Sequence, residues 1–359
     1  MRFNLRPGAA AMTIVLLAAA CTTASPSAQE GGTSSQAASA SAAPALTVAM
    51  IIAQGGLGDQ SYNDLADSGL KRAETDFNIE AQRIESDDIV SQGEAVLRQA
   101  GTAAFDVVID LEFSTADALT AVAPEFPETQ FSFMNLPLEG DNVTSFVFAE
   151  HQGSYLAGAL SALATSDTSI PGMNAEKVIG VIGGTKSTGI DKFLVGFMQG
   201  AQDVDPDVQV LVSYTNDFGD ATKGQDAAKA MFEQGADIVY QVAGGAGLGV
   251  IQAAEDEGKW AIGVDTDQSA IAPDAVLTSM VKRTDNAVYM AVERAVDGTP
   301  GGEVVSLDLK AGGVELGPIH ESVPSNYVDQ VDQLAEQIKS GEIEVWDVIE
   351  QGYPDFFPE

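Results

Sequence analysis

Hydrophobic residues in this chain come in short unbroken runs separated by longer amphipathic stretches. The first run, residues 46–52 (Leu-Thr-Val-Ala-Met-Ile-Ile), has the composition of a strand buried on both faces. It passes into a glycine loop at 55–58, and Ser61-Tyr62-Asn63-Asp64 then offers a capped helix start. Leu65, Ala66, Gly69, Leu70, Ala73 and Phe77 follow at helical spacing. The same alternation predicts strands over 106–111, 129–134, 178–182, 208–214, 238–242, 260–264 and 276–281. Helices fit between them, over 152–164, 191–203, 222–234 and 248–257. Continuous apolar strands separated by helices mean parallel sheets covered on both faces. There are about twice as many units as one sheet needs, so the pattern predicts an α/β chain of two doubly wound lobes.

In open α/β sheets ligands sit beyond the carboxyl ends of the strands. The polar and glycine-rich clusters fall there, at 55–63, 112–114, 135, 183–189, 244–249 and 265–268. Polar groups converging from both lobes imply a hinged cleft between them. Changes of chain character place the crossings near 148–152, 269–273 and 300–303. Lobe 1 is then 46–148 with 274–302 returning to it, and lobe 2 is 149–273 with 303–359 returning.

Before residue 46 the chain reads differently. Arg2 and Arg6 precede an apolar run from about Ala9 to Ala20, ending at Cys21, which is the pattern of a secretory signal. Leu17-Ala18-Ala19-Ala20-Cys21 resembles a bacterial lipobox, with Ala18 where leucine is usual. In that motif the cysteine is acylated, as with palmitate, and becomes the mature N-terminus. Residues 22–45 are Ser, Ala, Thr, Gly and Gln with two prolines and one acid, a composition for a flexible tether. These features together predict a protein on the outer face of a bacterial cell membrane, held by a lipid on residue 21; a monomer is expected.

Charge narrows the partners. The chain has 17 Lys and Arg against 53 Asp and Glu, a net charge of −36. Nucleic acid is excluded, because phosphate binding runs on clustered basic residues. One cysteine and two histidines exclude a disulfide framework and multi-cysteine metal sites. The hexad 244–249 lacks the GxGxxG spacing, since neither Val250 nor Gln252 is glycine, and 183–189 lacks the Lys-Ser/Thr of a phosphate loop. No GxSxG or HExxH motif occurs. Asp265 and Asp267 lack the further oxygen ligands of a calcium loop. At a strand end a carboxylate such as Asp265 is placed to accept two hydrogen bonds from vicinal sugar hydroxyls. Neither a metal nor a cofactor is expected, and no catalytic residue is assigned.

Six segments in order carry a resemblance. They are Asp59-Gln60-Ser61-Tyr62-Asn63, Ser154-Tyr155-Leu156-Ala157-Gly158, the run 196–201, the run 243–251, the run 262–268 and Leu277-Thr278-Ser279-Met280-Val281-Lys282-Arg283. Together they resemble the basic membrane protein family, the purine-nucleoside-receptor-like lipoproteins that serve ABC importers. The resemblance implies a type I periplasmic-binding-protein fold, a nucleoside in the cleft, and an ABC permease and ATPase as partners. It implies Asp59 and Asn63 on the base, flanking aromatics including Tyr62, and Asp265 and Lys282 on the ribose hydroxyls, with Gly245 and Gly247 nearby. Tyr62 stands where the family usually has phenylalanine, and Asn135 where it commonly has aspartate, which leaves the base contact open. Two other classes stay open beside this one. They are a ligand-sensing receptor or binder of a riboflavin-like or sugar-like molecule, and an enzyme cleaving nucleosides.

Overall fold

The computed structural model describes residues 45–358. The expected signal segment, Cys21 and the tether up to residue 44 lie outside the described residues. The first sheet holds β1 (Leu46–Ile51), β2 (Ile79–Ile84), β3 (Val107–Asp110), β4 (Gln130–Met134), β5 (Val143–Phe148) and β11 (Val304–Leu307). Its order is β11-β5-β4-β3-β1-β2, and every pairing is parallel. The second sheet holds β6 (Val178–Gly183), β7 (Gln209–Tyr214), β8 (Ile238–Val242), β9 (Trp260–Asp265), β10 (Val276–Lys282) and β12 (Val314–Leu316). Its order, β12-β10-β9-β8-β6-β7, repeats the first, with only the short β12 antiparallel. The chain is therefore two doubly wound α/β lobes.

Helices cover both sheets. In lobe 1, α1 (Tyr62–Asp76), α2 (Ile89–Thr102) and α3 (Ala116–Val122) follow β1, β2 and β3. In lobe 2, α4 (Glu150–Ala164) and α5 (Thr188–Val204) make the tightest helix pair, and α6 (Ala221–Glu233) packs on α7 (Gly247–Glu257). The α4–α5 contact explains two of the sequence segments singled out above. A Cβ at Gly158 would lie 1.9 Å from the carbonyl oxygen of Phe197, and one at Gly200 would lie 2.0 Å from that of Tyr155. Only glycine lets the two backbones touch. The last helices are α8 (Thr284–Val296), α9 (Ser325–Ser340) and the short α10 (Val348–Gln351).

Three crossings join the lobes. The first, between Phe148 and Glu150, lies within 148–152. The other two differ from the sequence reading. The chain stays in lobe 2 at 274, because β10 pairs in parallel with β9. It crosses only between Lys282 and Thr284, whereupon α8 packs on α1 in lobe 1. Likewise 303 does not begin a return to lobe 2, since β11 pairs with β5 in the first sheet. The third crossing follows Leu307. The stretches 269–273 and 300–303 are ordinary turns: Gly and Pro mark a reversal of the chain, while long-range strand pairing decides the lobe.

Candidate functional site

In each sheet the strand order reverses beside the first strand, β1 against β3 and β6 against β8, and a cleft opens at these switch points. Lobe 1 lines it with Gln54, Asp59, Tyr62, Glu112, Phe113 and Asn135 among others. Lobe 2 supplies Ile190, Phe193, Phe218, Gly244, Asp265 and Lys282. The interior proper is about 70 Å³, room for a few waters. With its open mouth the recess amounts to about 640 Å³.

Asp59 sits in the loop that opens α1. Its Oδ1 accepts from the backbone of Ser61 (3.0 Å) and Asp64 (3.1 Å). Its Oδ2 accepts from the backbone of Asn63 (2.9 Å) and from Asn63 Nδ2 (3.1 Å). A carboxylate has about four acceptor sites, so the helix start occupies all of them. Burial raises the Asp59 pKa, against the backbone donors that lower it. Asn63 does not line the cleft. Its Oδ1 accepts from Ala53 N (3.0 Å) and its Nδ2 donates to Gln54 O (3.2 Å), so it fixes the loop from behind. The acceptors left open on this rim belong to Gln54 and Glu112. Glu112 Oε1 takes Gln54 Nε2 and Ser114 N, but Oε2 takes only Gln54 N (2.9 Å).

On the other rim Asp265 ends β9 with φ +67°. Asn135, just past β4, has φ +82°. Both are left-handed conformations uncommon outside glycine, held where the backbone turns into the cleft. Asp265 Oδ2 accepts from Ser61 Oγ across the cleft at 2.6 Å. Among the described residues no protein donor reaches its other oxygen. Burial pushes its pKa up to about 6; the Lys282 charge and the Ser61 hydroxyl pull it down, while Asp59 and Glu150 push it up.

Lys282 ends β10, the neighbouring strand, but its ion pair is not with Asp265. Its Nζ binds Glu150 Oε1 at 2.8 Å and donates to Asn135 Oδ1 at 2.5 Å. Asn135 Nδ2 donates in turn to the Tyr62 hydroxyl (2.9 Å), which donates to Leu111 O (3.1 Å). The ammonium lies 4.8 Å from the Phe148 ring centroid and 5.0 Å from that of Tyr62, so aromatic faces share its charge. One of its three N–H donors remains.

Phe113 and Phe218, one from each lobe, meet edge-to-face with centroids 6.5 Å apart. The glycine clusters serve this ring. A Cβ at Gly184 would lie 2.2 Å from Phe218 Cε1. Gly245 backs onto the Phe218 carbonyl and Asp59 without lining the cleft, whereas Gly244 lines it. Gly247 is further away: its Cβ position is filled by the Gln241 side chain, which is bonded to Gln268. The structure thus brings Asp59, Tyr62, Asn135, Asp265 and Lys282 to one cleft, and leaves Asn63, Gly245 and Gly247 behind it.

Sequence reasoning missed Phe113 and Phe218 as the facing rings, and missed Glu150. Phe218 follows β7, whose end carried no glycine cluster. Glu150 reads as a helix-start acid, and nothing local says that two lysines converge on it. Among the described residues no cluster of His, Cys, Asp or Glu is arranged to hold a metal ion, and no helix is long and apolar enough to cross a membrane.

Residues 46–348 match the Bmp family, described as the PnrA-like substrate-binding proteins of ABC transporters. The chain is 32% identical to the CD4+ T-cell-stimulating antigen of Listeria monocytogenes, over 83% of this chain and 87% of that one. It is 31% identical to the ABC transporter nucleoside-binding protein BmpA of Lactococcus lactis, over 84% and 89%. Among solved structures it resembles an ABC transporter solute-binding protein from Aeropyrum pernix, with TM-score 0.76 and 27% identity over 84% and 93%.

Proposed function

The chain belongs to this family of ABC-transporter substrate-binding proteins, and from that premise we propose that its ligand is a nucleoside, purine by preference, delivered to the importer's permease and ATPase. The observation that carries the reading is the placement of Asp265 and Lys282 at the ends of adjacent strands, both lining one aromatic-walled cleft. The open Asp265 oxygen accepts from the ribose hydroxyls, and the remaining Lys282 N–H donates to their lone pairs. The base slides between Phe113 and Phe218, and its N–H edge meets Glu112 Oε2 and Gln54, since Asp59 is spent on the helix start. An interior of about 70 Å³ is too small for a nucleoside, so the lobes part at the three crossings to admit one. The relative named as nucleoside-binding supports this class of ligand. The protein works as a monomer tethered through lipidated Cys21, and Cys21→Ser is expected to leave the membrane fraction.

Mass spectrometry of whatever denaturation releases from the purified protein, followed by calorimetric titration of emptied protein with adenosine, guanosine, inosine and the free bases, tests the reading. Micromolar or tighter binding of a purine nucleoside, with much weaker binding of free bases, is expected. Binding of only a sugar or a flavin would overturn it.

A further inference from the structure

Lys192 does not line the cleft, yet it is 2% exposed and bound to the same carboxylate as Lys282. Glu150, 1% exposed, gives Oε2 to Lys192 at 2.6 Å and Oε1 to Lys282 at 2.8 Å. Lys192 also donates to Phe148 O, the last residue of β5, at 2.8 Å. One buried carboxylate therefore serves two buried ammonium groups, at the first crossing between the lobes. Burial would raise the Glu150 pKa, and the two lysines more than offset it.

Two ammonium groups on one carboxylate leave a net positive charge out of water, which is costly unless something else compensates it. On the Lys192 side Asp347 lines a neighbouring recess with it; on the Lys282 side the acceptor facing the cleft is the open Asp265 oxygen, together with whatever ligand atom meets Lys282. The Lys192 ion pair draws Oε2 to its side, and the Lys282 ion pair is made through Oε1, so the two ammonium groups share the carboxylate. Without Lys192 both oxygens are free to close on Lys282, and the whole carboxylate charge falls on that one ammonium. Lys282 would then sit further from Asn135 and be a weaker donor toward the cleft.

We propose that Lys192 is a positioning residue for ligand recognition, acting through Glu150 to hold Lys282 as a donor to the ligand's hydroxyls. The proposal rests on the reading that Lys282 contacts a ribose.

The test uses the full chain, emptied of ligand, titrated with inosine and with 2′,3′-dideoxyinosine. Lys192→Met is the least disruptive removal, because Glu150 keeps one cation; Glu150→Gln would instead leave two lysines facing each other. Lys192→Gln, which retains a donor for Phe148 O, carries the test if Lys192→Met does not fold. Either variant is expected to bind inosine roughly tenfold more weakly and dideoxyinosine nearly as before, since only the hydroxyl contact of a charged donor is lost. The preference for the riboside should shrink toward that of Lys282→Met. A uniform weakening of both ligands would mean a structural role only, and unchanged binding would mean none; either overturns the proposal. If Lys282→Met itself leaves the preference intact, or inosine does not bind, the ribose reading falls first. If Lys282→Met abolishes the preference and the Lys192 variants do not, this inference alone falls.

Discussion

Asp59 and Asp265 are both buried aspartates at the rim of one cleft, one on each lobe, and they do different work. Asp59 accepts four hydrogen bonds from the start of α1 and has no acceptor site left. Asp265 accepts one from a side chain across the cleft and keeps an oxygen open. Burial raises the pKa of both, but at Asp59 three backbone donors oppose it. The difference teaches that burial and position do not make a carboxylate a ligand contact. What counts is the acceptor capacity that the fold leaves unspent.

The strongest way to break this contrast is Asp265→Ala. Hydrogen bonds to charged groups contribute on the order of 1.5–3 kcal/mol each, so riboside affinity should fall roughly tenfold to several hundredfold by calorimetry. Dideoxynucleoside binding should lose little further in that variant. An equal loss for both ligands would reduce Asp265 to a brace between the lobes.

Acidity probes the same group without mutation. Ionised Asp265 is the stronger acceptor for hydroxyl donors, and burial pushes its pKa up to about 6. Riboside affinity should therefore weaken roughly tenfold between pH 7 and pH 5, and Asp265→Asn should flatten that dependence. The fold responds with the opposite sign. A carboxyl with a raised pKa holds its proton more tightly folded than unfolded, so its ionisation above about 6 costs stability. Asp110, at about 7, and Asp237, at about 6, act in the same direction, so these groups favour the emptied fold as pH falls from 7 to 5. Affinity that rose on acidification would contradict the assignment.

Glu112→Gln sharpens the picture on the loop rim. If Glu112 Oε2 is the open acceptor there, purine affinity should drop by about fivefold to twentyfold, with ribose discrimination unchanged. The smallest change in affinity is expected for Asp59→Ala, about threefold or less. Its cost should appear in thermal unfolding, at about 1–2 kcal/mol, the size of a lost helix cap. A large affinity loss with an unchanged melting temperature would reverse the roles given to the two aspartates.

The sequence by itself determined the two α/β lobes, the strand ends that carry the cleft, and Asp265 at one of those ends; Lys282 entered through the family resemblance. These depend on local signals: runs of apolar residues at strand length, turns after them, and polar side chains at the turn. The tertiary structure alone decided the rest. Val276–Lys282 belongs to lobe 2 because it pairs with β9, although the turns around it look like crossings. Lys282 binds Glu150 rather than Asp265, and Asp59 is consumed by its own helix. Phe218 meets Phe113 from the end of a strand more than a hundred residues away in sequence. Each of these depends on which groups approach within a few ångströms across long separations, and on how many hydrogen bonds an oxygen has already accepted. Spacing along a chain records periodicity; it does not record distance between lobes.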